Sequence, residues 1–177
     1  MHEEMSLYDN LSDGWVKWHN AKTLEKKKLP LFIFMAGHIA KEKSGAVPVA
    51  RRKAGNIKLN GMVMADFDDL EAPRKTWEEL NQRSDLQQWF ADNLLLAHVT
   101  PSGHGLRFVF KADVNVGNIA DNQAAFAQRT GLPLDSACKD SSRCSYAVCK
   151  TNILFITDEL FDYENPEFDE KYGESSK

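Results

Sequence analysis

The tripeptide Asp66-Phe67-Asp68 closes a short apolar run, Gly61-Met62-Val63-Met64-Ala65, of the kind that forms a buried strand. Side chains at i and i+2 of a strand leave the same face, so both carboxylates project from one side of the sheet and Phe67 from the other. Two carboxylates held that close repel unless a cation or a proton lies between them. Mg²⁺ and Mn²⁺ prefer oxygen ligands, so the pair points to metal-dependent chemistry, most naturally on phosphates. The competing reading is a strand end whose aspartates cap the turn that follows. Asp69 points away from the pair and is assigned to that turn.

A second segment, Thr100-Pro101-Ser102-Gly103-His104-Gly105-Leu106-Arg107, lies between two apolar runs. Its glycines allow backbone N–H groups to approach an anion, and Ser102 adds a hydroxyl. His104 and Arg107 add charge-assisted donors, the guanidinium with a planar fork suited to phosphate oxygens. The spacing is not that of a Walker A loop. Read by itself, the segment is equally an ordinary Ser-Gly hairpin turn. A third segment, Leu134-Asp135 followed by Lys139-Asp140-Ser141-Ser142-Arg143, offers Asp135 as a third carboxylate and Lys139 and Arg143 as neutralising cations. Read by itself, it is a solvated loop.

The elements that must position these groups are legible in outline. Residues 8–28 carry Leu11, Trp15, Trp18 and Leu24 at near-helical spacing and end in three lysines. Leu31–Met35 reads as a strand after Pro30, and residues 40–56 as a basic loop or irregular hairpin. Helical patterns run from Pro73 to near Asn93, strands from Leu94 to Val99 and Leu106 to Phe110, and a helix from Asn118 to Thr130 with Gly131 as its stop. Ser145–Cys149 and Ile153–Ile156 read as a hairpin, and from Thr157 onward there is little to pack. The mixture of helices with antiparallel hairpins predicts an α+β sandwich rather than a doubly wound parallel sheet.

The chain has 177 residues, 42% hydrophobic and 27% charged, which is ordinary for one globular domain with or without tails. No apolar run is long enough to span a membrane. The acidic N-terminus lacks the order of a signal peptide, and three cysteines without an export signal predict reduced thiols in a cytoplasm. Cys138, Cys144 and Cys149 have no zinc-ligand spacing. His98, inside a strand, is read as packing. The net charge of −4 hides ten Lys/Arg against two Glu over residues 22–60, and eight acids against two lysines over 157–177. The first segment suits a polyanion and is equally read as a solvated face, and the second reads as an acidic tail or linker.

Taken in order, Asp-x-Asp on a strand, Ser-Gly-x-Gly-Leu-Arg between strands and an apolar-Asp with a downstream Arg resemble the archaeo-eukaryotic primase superfamily, the primase-polymerases. The likeness is to the bacterial branch of mobile elements and phages, often fused to a helicase domain, and covers roughly residues 30–156. It implies a catalytic core with a modified RNA-recognition-like (RRM-like) sheet, about residues 61–156, packed on a smaller N-terminal α/β unit, about 1–60, with 157–177 left as a tail. It implies two divalent ions (Mg or Mn) on Asp66, Asp68 and Asp135. Ser102, Gly103, His104, Arg107 and Arg143 would contact a nucleoside triphosphate, and Arg51, Arg52, Lys53 and Lys58 a single-stranded DNA template. Arg107 stands where many members carry a histidine, which leaves open whether it or His104 meets the triphosphate. The implied activity is primer synthesis by nucleotidyl transfer. The alternatives are an inactive single-stranded-DNA-binding module of a helicase-fused protein, or a metal-dependent nuclease.

Overall fold

In the computed structural model, which describes residues 30–39, 57–134 and 140–173, the apolar run ending in Asp66 forms strand β4 (Met62–Phe67), buried throughout. It is one edge of a four-stranded antiparallel sheet. Beside it lies β6 (Leu106–Lys111), then β5 (Leu94–Val99), then β8 (Ile153–Ile156). Helices α1 (Pro73–Gln82) and α2 (Ser84–Asn93) join β4 to β5, and α3 (Ile119–Thr130) follows β6. The connection from β4 to β5 is therefore a split crossover, with β6 inserted between the strands it joins. The other strands among the described residues form two small antiparallel ribbons, β1 (Leu31–Ile33) with β7 (Cys144–Tyr146) and β2 (Ala36–Ile39) with β3 (Ile57–Leu59). The last helix is α4 (Pro166–Tyr172). The architecture is α+β with antiparallel sheets, and between residues 61 and 131 the elements fall within a residue or two of the predicted bounds.

The local reasons are visible at the helix ends. Pro73 occupies the first turn of α1, where its missing N–H has no partner to lose. Asn118 caps α3 by accepting from the N–H groups of Ala120 and Asp121, and the Asp121 carboxylate accepts from the Asn118 N–H in return. Gly131 ends the helix at φ 79°, a left-handed conformation that glycine adopts without strain.

One face of the sheet is an aromatic core. Phe67, Phe108 and Phe110 point towards the helices, where Trp77, Trp89 and Phe126 meet them. Phe110 and Phe126 stack at 4.6 Å, and Phe108 meets Phe126 edge-on at 5.1 Å. Alternation then sends Met62, Met64 and Asp66 of β4 to the other face. The outer edge of β4 is held by side chains: Gln123 of α3 donates its amide to Met64 O at 2.7 Å, and Met62 N–H donates to Asn60 Oδ1 at 3.0 Å.

Two expectations are corrected. Residues 145–149 and 153–156 do not form a hairpin: β7 pairs with β1, and β8 crosses to the free edge of β5. A three-residue 3₁₀ turn, Lys150–Asn152, carries the chain from one sheet to the other. The segment beyond 157, expected as an unpacked tail or linker, folds back as far as residue 173. Leu160 and Phe168 enter the core, Leu59 N–H donates to Asp169 Oδ1 at 2.7 Å, and Tyr172 donates to Val114 O at 2.8 Å. Gly61, at φ 78°, lets Asn165 pass so close that a Cβ there would collide with it. The expected 8–28 helix and 40–56 loop lie outside the described residues. No helix among the described residues is long and apolar enough to cross a membrane.

If the C-terminal helix is part of the core, Phe168→Ala should cost about 3–5 kcal/mol, as for other buried aromatics. Urea unfolding measures it, and a change below ~1 kcal/mol would mean that α4 is dispensable.

Candidate functional site

The β4–β6 and β5–β6 registers place six residues in two adjacent rows on the sheet face away from the aromatic core. Asp66 pairs with Arg107, and Arg107 with His98. Residues directly opposite in an antiparallel pair share a face, so these three side chains form one row across β4, β6 and β5. Two residues further along, the same register brings Asp68, Gly105 and Thr100 into the second row. The Thr100 N–H donates to Gly105 O at 2.9 Å.

Asp66 is only 1% exposed and Arg107 only 9%. The guanidinium grips the carboxylate with two nitrogens, Nε on Oδ1 and Nη2 on Oδ2. Its remaining terminal nitrogen, Nη1, donates to Ser145 Oγ at 2.8 Å. Ser145 belongs to β7 and is itself buried. The β1–β7 ribbon thus lies against this face, and Ser145 stands two residues beyond Arg143, the end of the third sequence segment.

His98 is buried at the end of the first row. Its Nδ1 meets Val99 O at 2.9 Å; the carbonyl can only accept, so Nδ1 carries the hydrogen. Burial pushes the imidazole from 6.5 down to about 4; the Arg107 guanidinium acts in the same sense, and the Val99 bond and Asp66 act against it. The ring is therefore neutral beside a permanently charged neighbour.

The second row is built around a missing side chain. A Cβ on Gly105 would lie 2.7 Å from Thr100 Oγ1, 2.8 Å from Asp68 Oδ1 and 3.0 Å from Phe67 O. A carboxylate, a hydroxyl and a carbonyl converge on that point because glycine leaves it open. All three are hard oxygen donors of the kind Mg²⁺ and Mn²⁺ take. The expected metal therefore fits the chemistry of this corner, where Asp68 is exposed and just past the strand end. The two aspartates are not equivalent, since Asp66 is buried against a guanidinium and Asp68 is exposed.

The turn over this corner is tied to it. Gly103, at φ 78°, donates its N–H to Thr100 O at 2.9 Å. Ser102 Oγ lies 3.0 Å from Thr100 Oγ1, and Leu70 N–H donates to His104 O at 2.8 Å. The anion cradle expected from backbone N–H groups is not formed by Gly103, whose N–H closes the turn. The side chains of Ser102 and His104 are half-buried there, and the Ser102 hydroxyl also accepts from the His104 N–H at 3.4 Å.

The structure thus brings together Asp66, Asp68, Arg107 and the Ser102-Gly103-His104 turn. Arg143, half-buried, sits two residues before Ser145, in a turn where its N–H donates to Asp140 O. Lys58 lies on β3, exposed. Asp135, Arg51, Arg52 and Lys53 lie outside the described residues. Among the described residues no three His, Cys, Asp or Glu side chains gather as a metal cage. His98 and Ser145 belong to the site but were not singled out as functional from sequence. A histidine in register with Arg107 could have been found from strand pairing, whereas nothing local marks Ser145. Comparison with protein-family models, with curated proteins and with solved structures finds no match to this chain.

His98 gives a pH test. Its folded pKa lies below the unfolded value near 6.5, so between the two the unfolded chain binds the extra proton. Its contribution is complete above pH 6.5 and is lost as the pH falls towards 4, a loss of up to about 3 kcal/mol. Urea unfolding at pH 7 and pH 4.5 should show His98→Gln losing less stability than the parent over that interval. Equal losses would show that the imidazole is not held neutral.

Proposed function

We propose that this protein is a metal-dependent primase-polymerase that joins nucleotides on a single-stranded DNA template. The observation that carries the reading is convergence: two segments far apart in sequence, each weak alone, meet at one corner of the sheet, with the β1–β7 ribbon against them. Asp66 comes from β4 and Asp68 from just past its end, Ser102 to Arg107 from the β5–β6 turn and β6, and Ser145 from β7, two residues beyond Arg143. Asp68 and Asp66, with Asp135 as the third ligand implied by the resemblance, would hold the two divalent ions. Such ions, when bound, activate a 3′-hydroxyl and stabilise the leaving pyrophosphate.

The chain's own residues have separate tasks. Ser102 and His104, half-buried in the turn, would take the outer phosphates by hydrogen bonds. Arg107 offers a planar fork beside the same corner and would offset charge that develops in the transition state. Gly105 keeps the Asp68 and Thr100 oxygens from being pushed apart. His98, neutral and buried, adds no competing charge next to Arg107.

One observation favours a second reading. Both Asp66 oxygens are occupied by Arg107, as they would be in a module that only holds DNA for a fused helicase and turns nothing over. A primer-free assay on single-stranded DNA with Mg²⁺ or Mn²⁺ and labelled nucleotides separates the two. Salt-sensitive DNA binding without incorporation would support the module and sink the polymerase.

The informative substitution is Asp68→Asn, not a change at Asp66. Asp68 is exposed, so its loss should leave stability within about 0.5 kcal/mol while lowering incorporation at least ~100-fold. Removing Asp66 would strand a buried guanidinium at a cost of about 3–5 kcal/mol, and lost activity would then mean little. Gly105→Ala crowds the Thr100 and Asp68 side chains and, at 3.0 Å, the Phe67 carbonyl, so it should lower stability and also lose incorporation as those oxygens are displaced. Full activity in both variants would refute the assignment of this corner.

A further inference from the structure

We infer that Arg107 is the resident counter-cation of Asp66 and yields that place to the divalent ion, so that metal binding releases the guanidinium for the phosphates that arrive with it. The inference rests on the polymerase reading of the site but concerns an event that precedes chemistry.

A carboxylate as deeply buried as Asp66 cannot remain charged without a cation beside it. In this structure that cation is the guanidinium, held on both oxygens. A metal ion binding the same carboxylate meets a fixed positive charge a few ångströms away. At a separation of 4 Å, like charges near a protein surface repel strongly enough that both cannot keep their best geometry. One must move, and the guanidinium is the one with a flexible stem and a second anchor. Ser145 Oγ holds Nη1 from the opposite ribbon, so the side chain stays tethered near the site when its grip on Asp66 is lost. The oxygens of Asp68 and Thr100, in the next row of the same face, with the Phe67 carbonyl between the rows, give the entering ion its first contacts.

Ordered binding follows. The metal enters at Asp68, displaces Arg107 from Asp66, and turns a fork that faced an internal carboxylate towards an external anion. A triphosphate arriving before the metal finds Arg107 already neutralised. Ser145 is on this account a positioning residue for Arg107.

The test uses the full chain without nucleotide. Mn²⁺ affinity is measured by calorimetry for the parent and for Arg107→Met, which removes the competing charge. The variant should melt lower than the parent without metal, bind Mn²⁺ about tenfold or more tightly, as expected for close charge pairs, and recover more melting temperature on adding Mn²⁺. Unchanged or weaker Mn²⁺ binding by a folded variant would overturn the exchange.

A second measurement needs no variant. The Arg107 side-chain Nε–H resonance of the parent, assigned by NMR, should lose the signature of a buried carboxylate partner as diamagnetic Mg²⁺ is added. A signal unmoved at saturating Mg²⁺ would overturn the exchange even if Arg107→Met fails to fold. The two proposals fail separately. Metal-dependent incorporation with no exchange leaves the polymerase reading intact, and exchange without incorporation leaves a metal-gated anion site in its place.

Discussion

A carboxylate and a guanidinium, both almost out of reach of water, face each other across β4 and β6. Neither could occupy its place alone, because an isolated charge at that depth costs several kcal/mol to strip of water. Their mutual attraction repays that cost only if the remaining polar atoms are also satisfied. Ser145 supplies what the sheet itself does not, a hydroxyl from a different ribbon placed at the free end of the guanidinium. The requirement to complete one ion pair thus helps to hold the β1–β7 ribbon against the main sheet and brings residues 140–146 to the same corner as Asp66 and Asp68.

The two faces of that sheet divide the labour. Towards the helices, Phe67, Phe108, Phe110 and Phe126 make an aromatic core that anchors the strands in register. On the other side, the register so fixed decides which polar residues are neighbours. A slip of one residue between β4 and β6 would send Asp66 into the aromatic layer and bring Phe67 to Arg107. The polar site is therefore positioned by apolar packing on the far side of the strands that carry it.

This division explains how much could be read in advance. The strand bearing Asp66, the α3 helix with its Asn118 cap and Gly131 stop, and the turn at 100–105 all follow from local patterns, and local patterns are legible. The hairpin expected between Ser145 and Ile156 failed because pairing is not local. Lys150–Asn152 looks like a connecting turn, but the strands on its two sides serve different sheets. The acidic stretch after 157 misled by its composition, in which Leu160 and Phe168 are few among many carboxylates yet sufficient to anchor a helix. At the site, the types and spacing of Asp66 and Asp68 were evident. That Asp66 is buried against a residue 41 positions away, while Asp68 is exposed, depends on strand register and could not be seen in either segment.

The outer edge of β4 has a consequence of its own. Met62-Val63-Met64-Ala65 is a short apolar stretch at the margin of an antiparallel sheet, and such margins invite pairing with the same stretch of another copy. Here two of the groups that would make that pairing are already engaged, Met62 N–H by Asn60 and Met64 O by the amide of Gln123. Side chains stand where a neighbouring strand would have to come. A chain that displays its most chemical residues at the end of an edge strand gains from a strand that is a poor template for pairing, and Asn60 and Gln123 occupy two of the places where such pairing would begin.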